Sequence, residues 1–430
     1  MSVPRASAAA AFTRAFALAA VVGAASVGAC QRRDTGPAAE PAGAPLSAAA
    51  LLGGGDDVAG FERALAPVPL ELPRDHGPHP RFRSEWWYFT GILQTGARRR
   101  FGYQLTIFRQ ALDPHPTPRA SAWATANIYM GHLAISDLDG DPTQPRFHAY
   151  QRFARDGLGL AGARAVPFEV WVDDWRVAGR AEGDETFPLT LRARAAAGDL
   201  TGAATDPAAQ FTQASLDLVA SAGRGPILQG DHGLSQKGRG PGNASYYHSF
   251  TRLPTRGTIT LGGQPFAVSG TSWLDREWST SALDAAVVGW DWIGIQLDDG
   301  TDVMVYKLRT AAGIAAPESR ATLIDTGGRT HLFGPPDFTL APTGEWQSAD
   351  GRARYPAGMR LQIPAAKVDL TIAPLLADQE LTLAVRYWEG AVGVAGVEGG
   401  RTVSGNGYLE LTGYATGPQG PGNAEAQAVH

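Results

Sequence analysis

The sequence predicts an all-β chain built as two tandem antiparallel β-barrel domains. Three features predict it: apolar residues recur with a period of two, turn residues punctuate the chain, and one hairpin pattern occurs twice. Among 430 residues, Gly 53 and Pro 30 supply the turns, and Trp 11, Tyr 11 and Phe 16 sit mostly in short alternating runs. Many turns with many aromatic strands favour sheets over helical bundles. The length suffices for two domains that each bury a core.

In chain order, the N-terminus stands apart. Arg5 and Arg14 flank the start of an apolar run from Ala15 to Val27, too short for a lasting membrane span and suited to an export signal. The run ends in Val27-Gly28-Ala29-Cys30, which is similar to a lipobox and contains the only cysteine of the chain. Residues 1–29 therefore read as a lipoprotein signal peptide, with Cys30 acylated as the first mature residue. Such multiple acylation gives firm attachment. With Cys30 modified, no thiol remains for catalysis or a disulfide. Gln31-Arg32 follows, without the Asp that retains such proteins on the inner membrane. The expected location is periplasmic, on the inner leaflet of the outer membrane. Residues 30–60 are rich in Ala, Gly, Pro and Asp and read as a flexible tether.

Beyond Pro80 the strands begin. Gly102 to Arg109 places Tyr103, Leu105 and Ile107 on one side and Phe108 on the other. Thr258–Leu261, Pro265–Val268 and Leu381–Trp388 follow the same rule, separated by turns such as Gly262-Gly263 and Asp298-Asp299-Gly300. Trp87-Tyr88-Phe89-Thr90-Gly91-Ile92-Leu93 followed by Tyr103–Arg109 is echoed by Trp290-Asp291-Trp292-Ile293-Gly294-Ile295-Gln296 followed by Val303–Arg309. A second echo pairs Ser215-Leu216-Asp217-Leu218 with Lys367-Val368-Asp369-Leu370. Two echoes in one order predict a tandem fold. The boundary is expected at Gly240-Pro241-Gly242, giving domains 61–240 and 241–421 and a disordered tail, 422–430. Barrel closure removes exposed edges and leaves an interior large enough for a ligand.

Ser84-Glu85-Trp86-Trp87-Tyr88-Phe89-Thr90-Gly91, Trp273-Leu274-Asp275-Arg276-Glu277-Trp278, Gly289-Trp290-Asp291-Trp292, Tyr387-Trp388-Glu389-Gly390-Ala391-Val392 and Gly407–Tyr414 resemble the AttH-like and carotenoid 1,2-hydratase superfamily. The resemblance runs from about Pro80 to Thr416. It implies a pair of lipocalin-like domains. It also implies a choice of activities, since the family includes hydratases of acyclic carotenoids, relatives that bind polyene tetramic acids, and members named as accessory to lipoprotein-transport ABC systems. Family likeness fixes fold better than function.

The chemistry expected from the residues centres on 270–278. In an alternating strand Trp273, Asp275 and Glu277 face one way, and Leu274, Arg276 and Trp278 the other. A carboxylic acid kept neutral in a dry aromatic cavity can protonate a carbon-carbon double bond, and indole or phenol faces can steady the cation that forms. The competing reading makes Asp275-Arg276-Glu277 an ion-pair knot with Trp273 and Trp278 as core plugs. Asp275, Glu277, Tyr247 and His248 are the candidate catalytic residues. Trp87, Trp273, Trp278, Trp290, Trp292, Tyr387 and Trp388 are the candidate ligand contacts. Glu85 is expected to seat an Arg such as Arg109, and Asp291 to be either a pocket acid or exposed.

Neither a cofactor nor a metal is expected. His76, His79 and His115 lie in Pro-rich loops without zinc-site spacing, and Asp137, Asp139 and Asp141 lack the flanking helices and closing Glu of a calcium loop. Neither a Gly-x-Ser-x-Gly elbow nor a P-loop occurs. The net charge of -5, with few Lys, excludes a general nucleic-acid surface. The expected partners are a hydrophobic small molecule or lipid, the membrane through the anchor, and components of an ABC transporter. The expected function is binding of a lipid, isoprenoid or polyene-like ligand. The alternative is a cofactor-free hydratase or isomerase.

Overall fold

The structure, a computed structural model, describes residues 58–415 apart from 118–119, 181–185, 196–199, 202–212 and 281–282. Cys30, the expected signal peptide, most of the tether and the C-terminal tail lie outside these residues. Among the described residues the helical elements are single turns at Arg74–His76, Gly157–Gly159 and Pro364–Ala366. The protein is all-β and antiparallel.

The first sheet holds β1 (Ser84–Gln94), β2 (Arg100–Ala111), β3 (Asn127–Asp137), β4 (Phe147–Arg155), β5 (Ala161–Ala165), β6 (Phe168–Val172), β7 (Trp175–Ala178), β8 (Leu189–Ala195), β9 (Leu200–Thr201), β10 (Ala214–Ala220), β11 (Ile227–Leu228), β12 (Leu234–Gln236), β13 (Ala244–Leu261) and β14 (Gln264–Ser279). Next come β15 (Val287–Leu297), β16 (Asp302–Thr310), β17 (Arg320–Ile324), β18 (Thr330–Phe333), β19 (Thr339–Pro342), β20 (Glu345–Gln347), β21 (Arg354–Pro356), β22 (Met359–Ile363), β23 (Val368–Pro374), β24 (Glu380–Thr382), β25 (Arg386–Glu398) and β26 (Arg401–Thr412). All of these but the β20–β21 hairpin form the second sheet.

The duplication is visible in the strand order. The path β10-β13-β14-β1-β2-β3-β4 of the first sheet is repeated as β23-β25-β26-β15-β16-β17-β18 in the second. Asp217 and Asp369, the centres of the second sequence echo, lie on the equivalent strands β10 and β23. Beside them Gly257 and Gly396 share one device: φ is +154° and +159°, and a Cβ at either would stand 2.1 Å from the carbonyl oxygen of Asp217 or Asp369. Only glycine allows that backbone and that approach.

The break between sheets does not fall at 240. β14 pairs with the whole length of β1, from Ser84 opposite Ser279 to Gln94 opposite Ser269, so β13 and β14 complete the first sheet and the chain crosses over between Ser279 and Val287. The Gly240-Pro241-Gly242 signal is a turn between β12 and β13, with Gly242 at φ +75°. Turn chemistry marks a hairpin and a linker in the same way; only the register tells them apart.

Each sheet folds over its own apolar core. Trp87, Phe89, Leu105, Trp175, Leu216 and Leu274 belong to the first, and Ile293, Val305, Leu361, Leu370, Trp388 and Leu409 to the second. The other faces of β1, β2, β13 and β14 meet those of β15, β16, β25 and β26, burying Tyr88, Tyr247, Trp273, Trp292, Tyr306 and Tyr408 between the sheets. Strands covered on both sides read as nearly continuous apolar runs, which accounts for Trp86-Trp87-Tyr88-Phe89. A cleft of the kind expected inside a barrel lies instead between the two sheets.

Candidate functional site

The site follows from strand parity. Residues that alternate with the core positions point into the gap between sheets: Trp86 and Tyr88 on β1, Gln104 and Phe108 on β2, Tyr247 on β13, Asp275 and Glu277 on β14. From the second sheet come Trp290 and Trp292 on β15, Tyr306 and Leu308 on β16, Tyr387 on β25 and Glu410 on β26. They line a cleft that opens to solvent. A largely aromatic and apolar lining with a few polar groups is that of a small-molecule site.

Asp275 is buried and accepts three hydrogen bonds: from Tyr247 Oη at 2.5 Å, Ser249 Oγ at 2.5 Å and Trp273 Nε1 at 2.6 Å. Among the described residues no Arg or Lys forms an ion pair with it. Burial pushes its carboxyl up to about 7 against the opposing pull of these donors. Trp292 Nε1 donates to Tyr247 Oη at 3.0 Å, so the phenol passes a hydrogen bond from the second sheet to Asp275. Burial raises the Tyr247 phenol well above its ordinary value, which keeps the donor protonated. Glu277, one step along the strand, accepts from Ser245 Oγ and pairs with Lys237 Nζ at 3.3 Å. The same ammonium lies 3.8 Å from the Tyr306 ring centroid, a cation–π contact.

The opposite wall carries two more carboxyls. Glu389 accepts hydrogen bonds from Tyr88 Oη and, at 3.0 Å, from Gln104 Nε2. Glu410 accepts from Trp290 Nε1 at 2.7 Å. Burial, with each carboxyl close to the other, drives Glu389 well above the ordinary range, and burial lifts Glu410 to about 7. Tyr387 Oη stands 3.0 Å from Gln104 Nε2 and 2.7 Å from His132 Nδ1, and burial lowers that imidazole to about 3. It is therefore neutral.

Of the candidates named from sequence, Asp275, Glu277, Tyr247, Trp290, Trp292 and Tyr387 line this cleft. Trp273 stands behind Asp275, orienting it, and faces a separate, more polar cleft at the far end of the sheets. Four others are placed elsewhere. Trp87 lies in the first core with Nε1 on the carbonyl of His76 at 2.8 Å, and Trp388 in the second core with Nε1 on that of Ala377 at 2.9 Å. Trp278 stacks on His79 at 3.7 Å, and His248 sits among His76, Phe250 and Trp278 on the side of β13 away from the cleft. Asp291 is neither exposed nor in the cleft: Arg309 Nε meets it at 2.8 Å and Tyr414 Oη at 2.9 Å. Glu85 does seat Arg109, and Arg276 as well.

Tyr88, Gln104, His132, Lys237 and Glu410 were not among the candidates, and Glu389, which the sequence suggests as an interior partner for an Arg, meets Tyr88 and Gln104 instead. Glu389 and Glu410 alternate with the core residues Trp388 and Leu409, a signal present in the sequence but silent without the pairing of β25 with β26.

The AttH-like family profile matches residues 63–414. A crystal structure from Nitrosomonas europaea described as an AttH is 35% identical, with a TM-score of 0.67, covering 82% of this chain and all of that one. The kievitone hydratase of Nectria haematococca is similar in fold at 16% identity and a TM-score of 0.59, over 83% of this chain and 97% of that one. No curated protein matches the chain. The family profile spans both sheets and every residue of the cleft, and the chain belongs to the AttH-like family.

Proposed function

We propose that the cleft between the sheets binds an apolar, unsaturated small molecule of the lipid, isoprenoid or polyene kind, and that Asp275 passes a proton to it without a cofactor, giving hydration or isomerisation. The observation that carries this reading is Asp275 itself: a buried carboxyl, raised to about 7, with no cation beside it and indole and phenol faces around it. An acid poised near neutrality is suited to general acid–base work, and an aromatic wall suits a developing carbocation. The likeness to kievitone hydratase is one of fold and serves only as company for the argument.

Binding without turnover is the second reading. It is favoured by the three donors that already occupy Asp275, which would let the acid serve as a polar anchor in an otherwise apolar site. In either case the lipobox-like Val27-Gly28-Ala29-Cys30 supports a location in the periplasm on the inner leaflet of the outer membrane. There an ABC system handling envelope lipids could share its ligand.

The test incubates the full-length protein in detergent with a lipid extract of its own host in water enriched in both deuterium and heavy oxygen. Incorporation of one water into an extract component, lost in Asp275→Asn with an unchanged near-ultraviolet circular dichroism spectrum, supports hydration. Solvent deuterium incorporated in place of oxygen supports isomerisation. An apolar molecule recovered from the protein with neither label leaves binding alone, and no bound molecule and no label in any extract sinks both readings.

A further inference from the structure

The cleft has a second acidic wall. Glu389 on β25 lies directly opposite Glu410 on β26 in the antiparallel register, with their side chains on the same face and their carboxyl groups acting directly on each other. Like charges placed opposite one another across a sheet repel, and at this depth repulsion is barely screened. Among the described residues no Arg or Lys pairs with either. The arrangement holds when one carboxyl keeps its proton and donates it to the other.

Every remaining partner fits a shared proton. Glu389 accepts from Tyr88 Oη and Gln104 Nε2, which leaves it one oxygen-bound proton to give to Glu410. Glu410, the member that lines the cleft, is fixed by Trp290 Nε1. Two residues further along β15, Trp292 fixes Tyr247 and through it Asp275. One strand thus orients both acidic centres with alternate indoles. The titratable groups that face the pair are Tyr88 from β1, Tyr387 and Tyr408 from its own hairpin, and Asp275 with Glu277 from β14. The three phenols are raised by burial and stay protonated.

We infer that Glu389 and Glu410 form a second acid–base centre, a carboxylic acid hydrogen-bonded to a carboxylate, in which Glu410 exchanges a proton with whatever occupies the cleft on the wall opposite Asp275. This rests on the function proposed above and gives that reaction its other half. Asp275 gives its proton to one alkene carbon and becomes a carboxylate. Water adds its oxygen to the other carbon and loses a proton to Glu410, so that one water has crossed the double bond. In isomerisation Glu410 instead takes a proton from the carbon next to the cation, and the double bond forms there.

Two measurements on the full-length protein decide it. Infrared spectroscopy should show a protonated carboxyl carbonyl band that survives above neutral pH. It should be absent in Glu389→Gln and intact in Asp275→Asn. In Glu410→Gln it should titrate away at lower pH, because the like charge is gone. That last variant keeps the acceptor for Trp290, so it reports even where Glu389→Gln fails to fold. A wild-type spectrum without such a band, or one unmoved in Glu410→Gln, overturns the shared proton. In the heavy-water incubation, Glu410→Gln should slow label incorporation by roughly a hundredfold, and undiminished incorporation overturns its acid–base role. If the wild type itself incorporates no label, the earlier proposal falls, and the pair stands or falls on the infrared band alone.

Discussion

Asp275 and Arg276 are neighbours in β14 and face opposite ways: Arg276 turns into the first sheet, where its Nη2 meets Glu85 Oε2 at 2.7 Å, and Asp275 turns into the cleft without a cation. An ion-pair knot does exist here, but it belongs to Arg276, Glu85 and Arg109, and Asp275 is left facing the cleft.

Because Asp275 has its carboxyl raised in the folded protein, the native state holds its proton over a pH range in which the unfolded chain has lost it. Between about 4 and 7 the native state therefore binds more protons, and this residue's contribution to stability falls as pH rises through that window. Asp275→Asn removes the effect. The stability of the variant relative to wild type should climb between pH 4 and 7, by up to roughly 4 kcal/mol, and be flat on either side. Urea denaturation at a series of pH values checks it, and a constant difference across the series would show that Asp275 is an ordinary carboxylate.

Arg276 is fully buried, donates to the carbonyls of His76 and Trp86 as well as to Glu85, and lies 4.0 Å from the Trp87 ring centroid. Removing it leaves Glu85 short of a partner inside the core. Arg276→Leu should cost roughly 3 to 5 kcal/mol and shift the urea midpoint down. In the fraction that remains folded, near-ultraviolet signals from the cleft indoles should be unchanged. A loss under 1 kcal/mol would make the knot dispensable.

How far the fold could be read from sequence shows in these same residues. Period two correctly separated Asp275 and Glu277 from Arg276 and Trp278, and the repeated hairpin motifs do mark equivalent strands. Alternation says which residues share a face; it does not say whether that face looks into a core or at another sheet. Trp87, Trp278 and Trp388 therefore looked the same as Trp290 and Trp292, although the first three are core or stacking residues. His248 was misplaced for the same reason. Glu389 and Glu410 needed more than parity, because their meeting depends on the register of β25 against β26 and on the docking of two sheets.

The glycines that mark the duplication give a matched experiment. At Gly257 and Gly396 a methyl group would collide with backbone, not with a movable side chain. Alanine at either should destabilise by more than about 2 kcal/mol, and by similar amounts at the two sites. Thermal melts of Gly257→Ala and Gly396→Ala check this. A large effect at one and none at the other would separate two positions that the strand order makes equivalent.

The anchor is tested apart from the fold. Cys30→Ser should move the protein from the membrane fraction to the soluble periplasmic fraction, since the acyl chains rather than the sheets are expected to hold it. Sedimentation with membranes after a carbonate wash, unchanged by the substitution, counts against acylation of Cys30.

Acid sensitivity should come from buried histidines, above all His76, His132 and His248, with His148 lowered by burial as well. Burial lowers His76 and His132 to about 3, and burial with the neighbouring His76 and Arg276 holds His248 well below its ordinary 6.5. Each is neutral in the folded protein while the unfolded chain takes up a proton below about 6.5. Stability from these groups is complete above that value and is lost as pH falls from about 6.5 toward 3, at about 1.4 kcal/mol per pH unit for each histidine. The carboxyls of Asp275 and Glu410 work in the opposite direction between about 4 and 7, and the raised Glu389 adds to them, so wild type should show a shallow net profile there. His248, whose Nε2 has no hydrogen-bond partner, is the one to remove. His248→Leu should gain on wild type as pH drops below 6.5, with a constant difference above it; denaturation curves that stay parallel from pH 7 down to 4 would mean that His248 takes up its proton as readily in the folded protein as in the unfolded chain.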